Sequence, residues 1–280
     1  MPELDVKEAA QHWRRVSVEP ELAAVGFSPK LATVRREGDA GAQSYEKALT
    51  ARSATLVVNG LSIHHEAHTV KTAEEALALV ERLNRDGSVH AILVFYPLGL
   101  GADDSVVMNT VNPNKDVEGL HAVNLGYLQQ YRRTLHRHDS LKLTVPCTAK
   151  AVGKLLDFAK IPVRGRTVVL FNNSLILGRP LGAYLENLGA TVIRTFDQTP
   201  PDYQQHALAR AHIVVTGVPK EVDLFDRVPD GAVVINVSGV RNFPPSALEH
   251  AAWHTSRIGV LTCEMALLQT LYVARRAGLI

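Results

Sequence analysis

The chain has 280 residues, with 30 Lys and Arg against 28 Asp and Glu and a formal net charge of +2. That length allows one large or two modest domains with buried cores, and mixed charge so close to balance gives no argument for nucleic acid or an anionic membrane surface. The two cysteines, Cys147 and Cys263, form no metal spacing and no disulfide framework, which points to a reducing, cytoplasmic compartment. The opening residues M-P-E-L-D-V-K-E carry charge early and lack the apolar stretch of a signal peptide. No apolar run has the length of a membrane span.

Leu4 to Ala24 reads as an amphipathic helix, Lys30 to Val34 as a strand, and Ala42 to Ser53 as a helix. Ala54–Val58 and Leu61–His65 are apolar or β-branched runs separated by the turn dipeptide Asn59-Gly60. In Thr72–Arg85 the residues Ala73, Ala76, Leu77, Val80 and Leu83 recur at helical spacing, and Asp86-Gly87 stops the helix. Ala91–Phe95 is a short buried strand. A second unit begins near Thr144. It holds a helix at Ala149–Ala159, a strand at Thr167–Phe171, a loop, and a helix at Arg179–Leu188 ended by Gly189. Strands follow at Ala190–Phe196, Ile213–Thr216 and Ala232–Val237, and a final helix, apolar on one face, at Glu264–Ala277. Alternating strand and helix argue for parallel α/β layers, and the β-loop-helix-β order of the second unit is the dinucleotide-binding arrangement.

Two segments narrow the reading: V-F-Y-P-L-G at Val94–Gly99, and N-P-N-K-D-V-E-G-L-H-A-V-N at Asn112–Asn124. They resemble the folate-site signature of the methylenetetrahydrofolate dehydrogenase/cyclohydrolase family, V-Q-L-P-L-P followed by K-D-V-D-G. The P-C-T at Pro146–Thr148 and the asparagine and glycine at Asn124 and Gly126 match as well. The resemblance implies an N-terminal α/β domain completed by the C-terminal helix (1–143 plus 263–280) and an inserted Rossmann-type domain (144–262). It also implies a homodimer through the nucleotide domain, a tetrahydrofolate derivative as substrate, and NAD or NADP as cofactor. It places Tyr45, Phe95, Pro97, Asp116 and Glu118 at the substrate, with Tyr45 catalytic.

The departures from the pattern bear on chemistry. Family members carry Y-x-x-x-K, whose spacing stacks Tyr and Lys on one helix face, and the glutamine of V-Q-L-P steadies that lysine for the hydrolytic step. Here Tyr45 is followed four residues later by Leu49, and the glutamine position is Phe95. Lys47 is two residues from Tyr45, on another face, and reads as a solvated lysine. Both partners of one proton-moving step are therefore apolar, which predicts loss of cyclohydrolase activity. Glu118 keeps a carboxylate but moves it by one methylene. The family loop P-V-P-G-G-V-G-P-M-T has I-G-V-L-T-C-E-M-A as its counterpart, bulkier and including Glu264.

The nucleotide segment, V-V-L-F-N-N-S-L-I-L-G-R-P, lacks G-x-G-x-x-G but resembles the family variant G-[RA]-S-x-x-V-G-x-P at Ser174, Gly178 and Pro180. Asn172 stands at the first glycine, where its tolerance of positive φ would preserve the turn, though its side chain would crowd the phosphates. Asn172, Asn173, Ser174, Gly178, Arg179, Asp197 and Val240 are the expected cofactor contacts. A βα-turn with no nucleotide is the alternative. Asp197, just past its strand, suits a ribose 2′-hydroxyl and leans toward NAD, whereas Arg194 could pair with a 2′-phosphate.

No metal site is expected. His64, His65 and His68 fall at a strand end, His136, His138 and Asp139 in a charged loop, and His250 and His254 at helical spacing without a third ligand. Ser62 and Ser238 have no base or orienting group nearby in sequence, so no nucleophilic triad is read. The first functional expectation is an NAD(P)-linked methylenetetrahydrofolate dehydrogenase of one-carbon metabolism. The competing ones are a paralogue acting on another folate or small molecule, and a non-catalytic binding protein.

Overall fold

The computed structural model describes residues 3–101, 103–135, 138–222 and 224–276. Contacts divide the chain into two compact units: His12–Cys147 with Cys263–Ile280, and Met1–Gln11 with Thr148–Thr262. The first eleven residues therefore group with the nucleotide-type segment.

The expected first helix is α1 (Val6–Trp13), a π-helical turn (Arg14–Val18) and α2 (Glu19–Val25). β1 (Lys30–Arg36) leads to α3 (Ala40–Ala54), whose N-cap Asp39 accepts from the Ala42 N–H. Asn59 (φ 52°) and Gly60 (φ 79°) supply the two positive dihedrals of a tight hairpin between β2 (Val57–Val58) and β3 (Leu61–Ser62). Ala54, expected in a strand, belongs to α3. The run Leu61–His65 breaks after Ser62 and resumes as β4 (His64–Val70). Thr72 caps α4 (Ala73–Arg85) through the Glu75 N–H, and β5 (Ala91–Val94) follows.

β1 lies between the other two strands in a parallel sheet, β4-β1-β5, with Lys30 opposite His64 and Leu31 opposite Ala91. Val34, Val80, Leu83, Ile92, Val107 and Val111 form a core on one face. α5 (Asp104–Thr110), α6 (Ala122–Gln129) and the hairpin β6 (Thr134–Leu135) with β7 (His138–Lys142) complete this stretch. These elements are too short for an apolar period to stand out; the helices are set by their caps, Asp103 and His121. His138 and Asp139 thus lie on a strand rather than in a loop, and His136 falls outside the described residues.

After α7 (Cys147–Phe158), the second unit runs β8 (Thr167–Phe171), α8 (Gly178–Asn187), β9 (Thr191–Thr195), α9 (Pro201–Leu208), β10 (Ile213–Thr216), β11 (Val233–Asn236), α10 (Pro245–Leu248) and β12 (Trp253–Ser256). The sheet is parallel throughout, ordered β12-β11-β10-β8-β9. Its strand order reverses between β8 and β10, the switch point at which open α/β sheets bind ligands. β12 has a polar sequence and pairs with the chain start, the Leu4 N–H donating to the His254 carbonyl at 2.9 Å. His254 is therefore on a strand, and its helical spacing from His250 is not realised.

α11 (Gly259–Ala274) begins five residues before the expected Glu264; Ala277 lies outside the described residues. It is not apolar on one face only, because Cys263, Glu264, Met265, Gln269 and Thr270 are all fully buried. No helix among the described residues is long and apolar enough to cross a membrane.

Candidate active site

In the first unit the site is built on α3, the end of β5 and the loop from Lys115 to Gly119. Tyr45 projects from α3 and meets the Phe95 ring edge-on, with centroids 5.2 Å apart and planes at 68°. The Tyr45 hydroxyl is buried without a hydrogen-bond partner. Burial, and then the nearby Cys263, Glu118 and Cys147, push its pKa up. Leu49, one turn on, is fully buried, whereas Lys47 is exposed. Arg52, two turns from Tyr45, is the next cation on that face. It is engaged by Glu264 at 2.5 Å.

Phe95 is 6% exposed, and its N–H continues the sheet to the Val34 carbonyl at 2.9 Å. The Tyr96–Pro97 peptide is cis, and Pro97 is exposed. Gly99, at the family's second proline, has φ +60° and its carbonyl accepts from Arg36 Nη1 at 3.3 Å. Proline, fixed near φ −65°, cannot take that path.

The K-D-V-E-G loop separates into supporting and outward-facing groups. It lies along β5, with the Ile92 N–H donating to the Lys115 carbonyl at 2.7 Å and the Val117 N–H to the Ile92 carbonyl at 3.0 Å. Lys115 Nζ caps the end of α4, donating to the carbonyls of Leu83, Asn84 and Asp86 at 2.8–3.0 Å. Asp116 is buried with both oxygens used inside the loop. Oδ1 accepts from the Gly119 N–H, and Oδ2 from the His121 N–H and Asn124 Nδ2, all at 2.9 Å. It organises the loop. Gly119 (φ +67°) lets the loop touch Thr144–Val145, where a Cβ would lie 3.0 Å from three backbone carbons.

Glu118 is half-buried and accepts a long bond, 3.3 Å, from the Cys147 N–H. Desolvation raises its pKa to about 7. Gln269 ties this loop to Val145. Its Nε2 donates to the Val117 and Val145 carbonyls at 2.8 Å, and its Oε1 accepts from the Val145 N–H at 2.8 Å. Nothing in the sequence singled out Gln269, because its partners lie more than a hundred residues away.

In the second unit the turn after β8 is held by one side chain. Asn172 Oδ1 accepts from the N–H groups of Ser174 and Gly178 (2.9 and 3.0 Å) and from Ser174 Oγ (2.7 Å), while its Nδ2 donates to the Gly217 carbonyl at 3.0 Å. Asn172 is not among the positive-φ residues. The turn persists through side-chain bonding, not through the left-handed backbone expected. Its amide oxygen thereby occupies the Gly178 N–H at the start of α8. Gly178 is obligatory, since a Cβ there would lie 2.0 Å from the Asn172 carbonyl.

The first N–H groups of α8 are internally satisfied, those of Leu177 and Arg179 by Ser174. A pyrophosphate at this end would therefore meet the Arg179 guanidinium and the Asn173–Ser174 segment more than free backbone donors. Asp197 is exposed just past β9, with Oδ1 accepting from the Gln198 N–H at 3.1 Å. The stem of Arg194 packs over Gly182. Val240 lines a cleft of about 570 Å³ beyond β11 and β12. There the fully buried Asn242 binds the Val218 and Lys220 carbonyls at 3.1 Å and so ties together the loops that follow β10 and β11. The tight βα-turn, the switch point and the exposed acid past β9 fit a dinucleotide.

Residues 4–118 match the family model for the tetrahydrofolate dehydrogenase/cyclohydrolase catalytic domain, and residues 146–251 match the model for its NAD(P)-binding domain. The bifunctional protein FolD of Campylobacter concisus is 35% identical over 221 residues, 78% of this chain and 72% of that protein. The chain belongs to the tetrahydrofolate dehydrogenase/cyclohydrolase family. FolD of Methanoculleus marisnigri is 32% identical over 231 residues, 82% of this chain and 77% of that protein. Among solved structures, the NAD-dependent 5,10-methylenetetrahydrofolate dehydrogenase of Saccharomyces cerevisiae is similar with TM-score 0.86 and 25% identity, covering 98% of this chain and 97% of that one. The Trypanosoma brucei dehydrogenase-cyclohydrolase, in complex with NADP and an inhibitor, gives TM-score 0.84 and 26% identity over all of both chains. Among the described residues no cluster of His, Cys, Asp or Glu could hold a metal ion.

Proposed function

We propose that this chain is an NAD(P)-dependent methylenetetrahydrofolate dehydrogenase of one-carbon metabolism in which the cyclohydrolase step is lost. The observation that carries the loss is the apolar surround of Tyr45: Phe95 edge-on at 5.2 Å and Leu49 buried one turn away. Hydride transfer requires mainly that two carbons be brought together and water kept out. Attack of water on the methenyl cation requires a titratable group beside it. Lys47 is exposed and Arg52 is tied to Glu264, so neither supplies one.

In this reading Glu118 receives the pterin through its exocyclic amino group and ring nitrogen. Tyr45 and Phe95 form the apolar wall, with the Tyr45 hydroxyl the one polar group on it. Asp116, Lys115 and Gln269 hold the loop that presents Glu118. Ser174, Asn173, Arg179, Asp197 and Val240 contact the dinucleotide, and Asn172 and Gly178 shape its turn. When bound, the nicotinamide accepts the hydride. The exposed carboxylate of Asp197 favours a ribose 2′-hydroxyl over a 2′-phosphate, which supports NAD, as does the likeness to a relative described as NAD-dependent. We further propose a cytoplasmic homodimer formed through the nucleotide-binding unit.

The test is direct. Purified protein given methylenetetrahydrofolate with NAD, and separately with NADP, should reduce the dinucleotide and accumulate methenyl absorbance that outlasts the reaction. Loss of methenyl absorbance faster than its uncatalysed hydrolysis would refute the loss of cyclohydrolase. No turnover with either cofactor would refute the dehydrogenase.

A further inference from the structure

We propose that Glu264 is a positioning residue for Tyr45, acting through an ion-pair cluster with Arg52 and Arg14; its kinetic consequence rests on the dehydrogenase reading above. α3 carries Tyr45, Leu49 and Arg52 at i, i+4 and i+7, one face two turns long. At the far end of that face Arg52 Nε donates to Glu264 Oε1 at 2.5 Å. Arg14 Nε reaches both Glu264 oxygens, at 3.0 and 3.2 Å. Arg14 also donates to the Arg52 carbonyl at 2.7 Å and to Thr55 Oγ1 at 3.0 Å. One guanidinium thus gathers the end of α3 and the buried carboxylate of α11 at a single point.

The Tyr45 end of the face has no such anchor. The hydroxyl has no partner within the protein, so no polar bond sets the ring. Its place is fixed by the edge contact with Phe95 and by where α3 lies. Glu46 anchors the sheet side of α3, accepting from Thr33 Oγ1 and Arg35 Nε at 2.7 Å each. The side turned to α11 is held by Arg52 and Glu264. Cys263, the residue before Glu264, lies near enough to the Tyr45 phenol to add, after burial, to the rise in its pKa. The family loop at this place, P-V-P-G-G-V-G-P-M-T, contains no carboxylate. This anchor belongs to the helical form of the segment found here.

Glu264→Gln keeps the shape and removes the charge, and is read in two ways in the full-length protein. With carbon-13 tyrosine labelling, and the Tyr45 resonance assigned by its absence in Tyr45→Phe, that resonance should shift or broaden while exposed Tyr203 is unmoved. Steady-state kinetics should show kcat/KM for methylenetetrahydrofolate falling about tenfold to a hundredfold, the scale of an ångström-level misplacement, with the dinucleotide KM unchanged. An unmoved Tyr45 resonance in a folded Glu264→Gln protein overturns the proposal, as does equal loss toward both substrates. If the wild type turns over no methylenetetrahydrofolate, the dehydrogenase reading fails, and the resonance still decides the positioning role. Should Glu264→Gln fail to fold, Arg52→Lys keeps the charge, gives up the planar contact, and carries both readouts with the same expectations.

Discussion

Glu118 should make folate affinity and protein stability respond to pH in opposite directions. Its pKa rises from the ordinary 4.5 to about 7, chiefly because burial disfavours the charged form, with Asp116 adding repulsion. A group with a raised folded-state pKa contributes stability that is fully present below its unfolded value and is lost as pH rises through the folded one. At about 1.4 kcal/mol per pH unit, the rise corresponds to about 3 kcal/mol between pH 4.5 and 7. Pterin recognition runs the other way, because accepting from an amino group and a ring N–H calls for the carboxylate. Folate affinity should be flat above about pH 8, about tenfold weaker at pH 6 and about a hundredfold weaker at pH 5. The assay is urea unfolding and reduced-folate titration from pH 5 to 8, on wild type and on Glu118→Gln. Subtracting the variant removes every other titrating group. If the difference between the two proteins in unfolding free energy is the same at pH 5 and pH 8, or if folate affinity in the wild type does not change between pH 6 and 8, the buried-acid account of Glu118 is refuted.

Leu49→Lys alone should leave methenyl hydrolysis at the uncatalysed rate, because Phe95 offers the new ammonium no partner; absorbance decay after a methenyl pulse measures this, and restored hydrolysis would contradict it. Gly178→Ala should abolish dinucleotide binding, since its methyl would meet the Asn172 carbonyl at 2.0 Å; thermal shift with NAD and NADP reads the loss. Asp116→Ala leaves the Gly119 and His121 N–H groups unpaired and Asn124 with only its bond to Pro113, so it should destabilise the protein by several kcal/mol at about 1–3 kcal/mol per unsatisfied donor, measured by urea unfolding. Asp197→Ser should move cofactor preference toward NADP by removing the charge that repels a 2′-phosphate, seen as a fall in the ratio of the two kcat/KM values.

Residues in short range of one another were the most legible in the sequence. The bounds of β8 and β10 could be read directly, because four- and five-residue apolar runs between turn residues have few other interpretations. Thr72 and the apolar period after it fixed α4, and V-F-Y-P-L-G with K-D-V-E-G fixed the family. The misreadings arose where distant partners decide. α11 starts at Gly259 and buries Glu264 because Arg14 and Arg52, more than two hundred residues earlier, neutralise it. Read alone, that glutamate looks like a bulky loop residue. Asn172 was expected to act through its backbone, yet its amide holds the turn by reaching Gly217 across the switch point. The spacing of His250 and His254 looked helical, but pairing with β11 makes His254 part of a strand.

Lys115, which closes the end of α4 on three carbonyls, bears on how the family's signature should be used. Selection for folding alone would retain Lys115 and Asp116, even in a descendant that had abandoned catalysis. A pattern search weighted on those two positions therefore sorts sequences by whether the loop can be built, not by whether a reaction follows. Among divergent relatives, the residues at positions 49, 95 and 118 are the ones to tabulate when genomes are scanned for loss or change of activity.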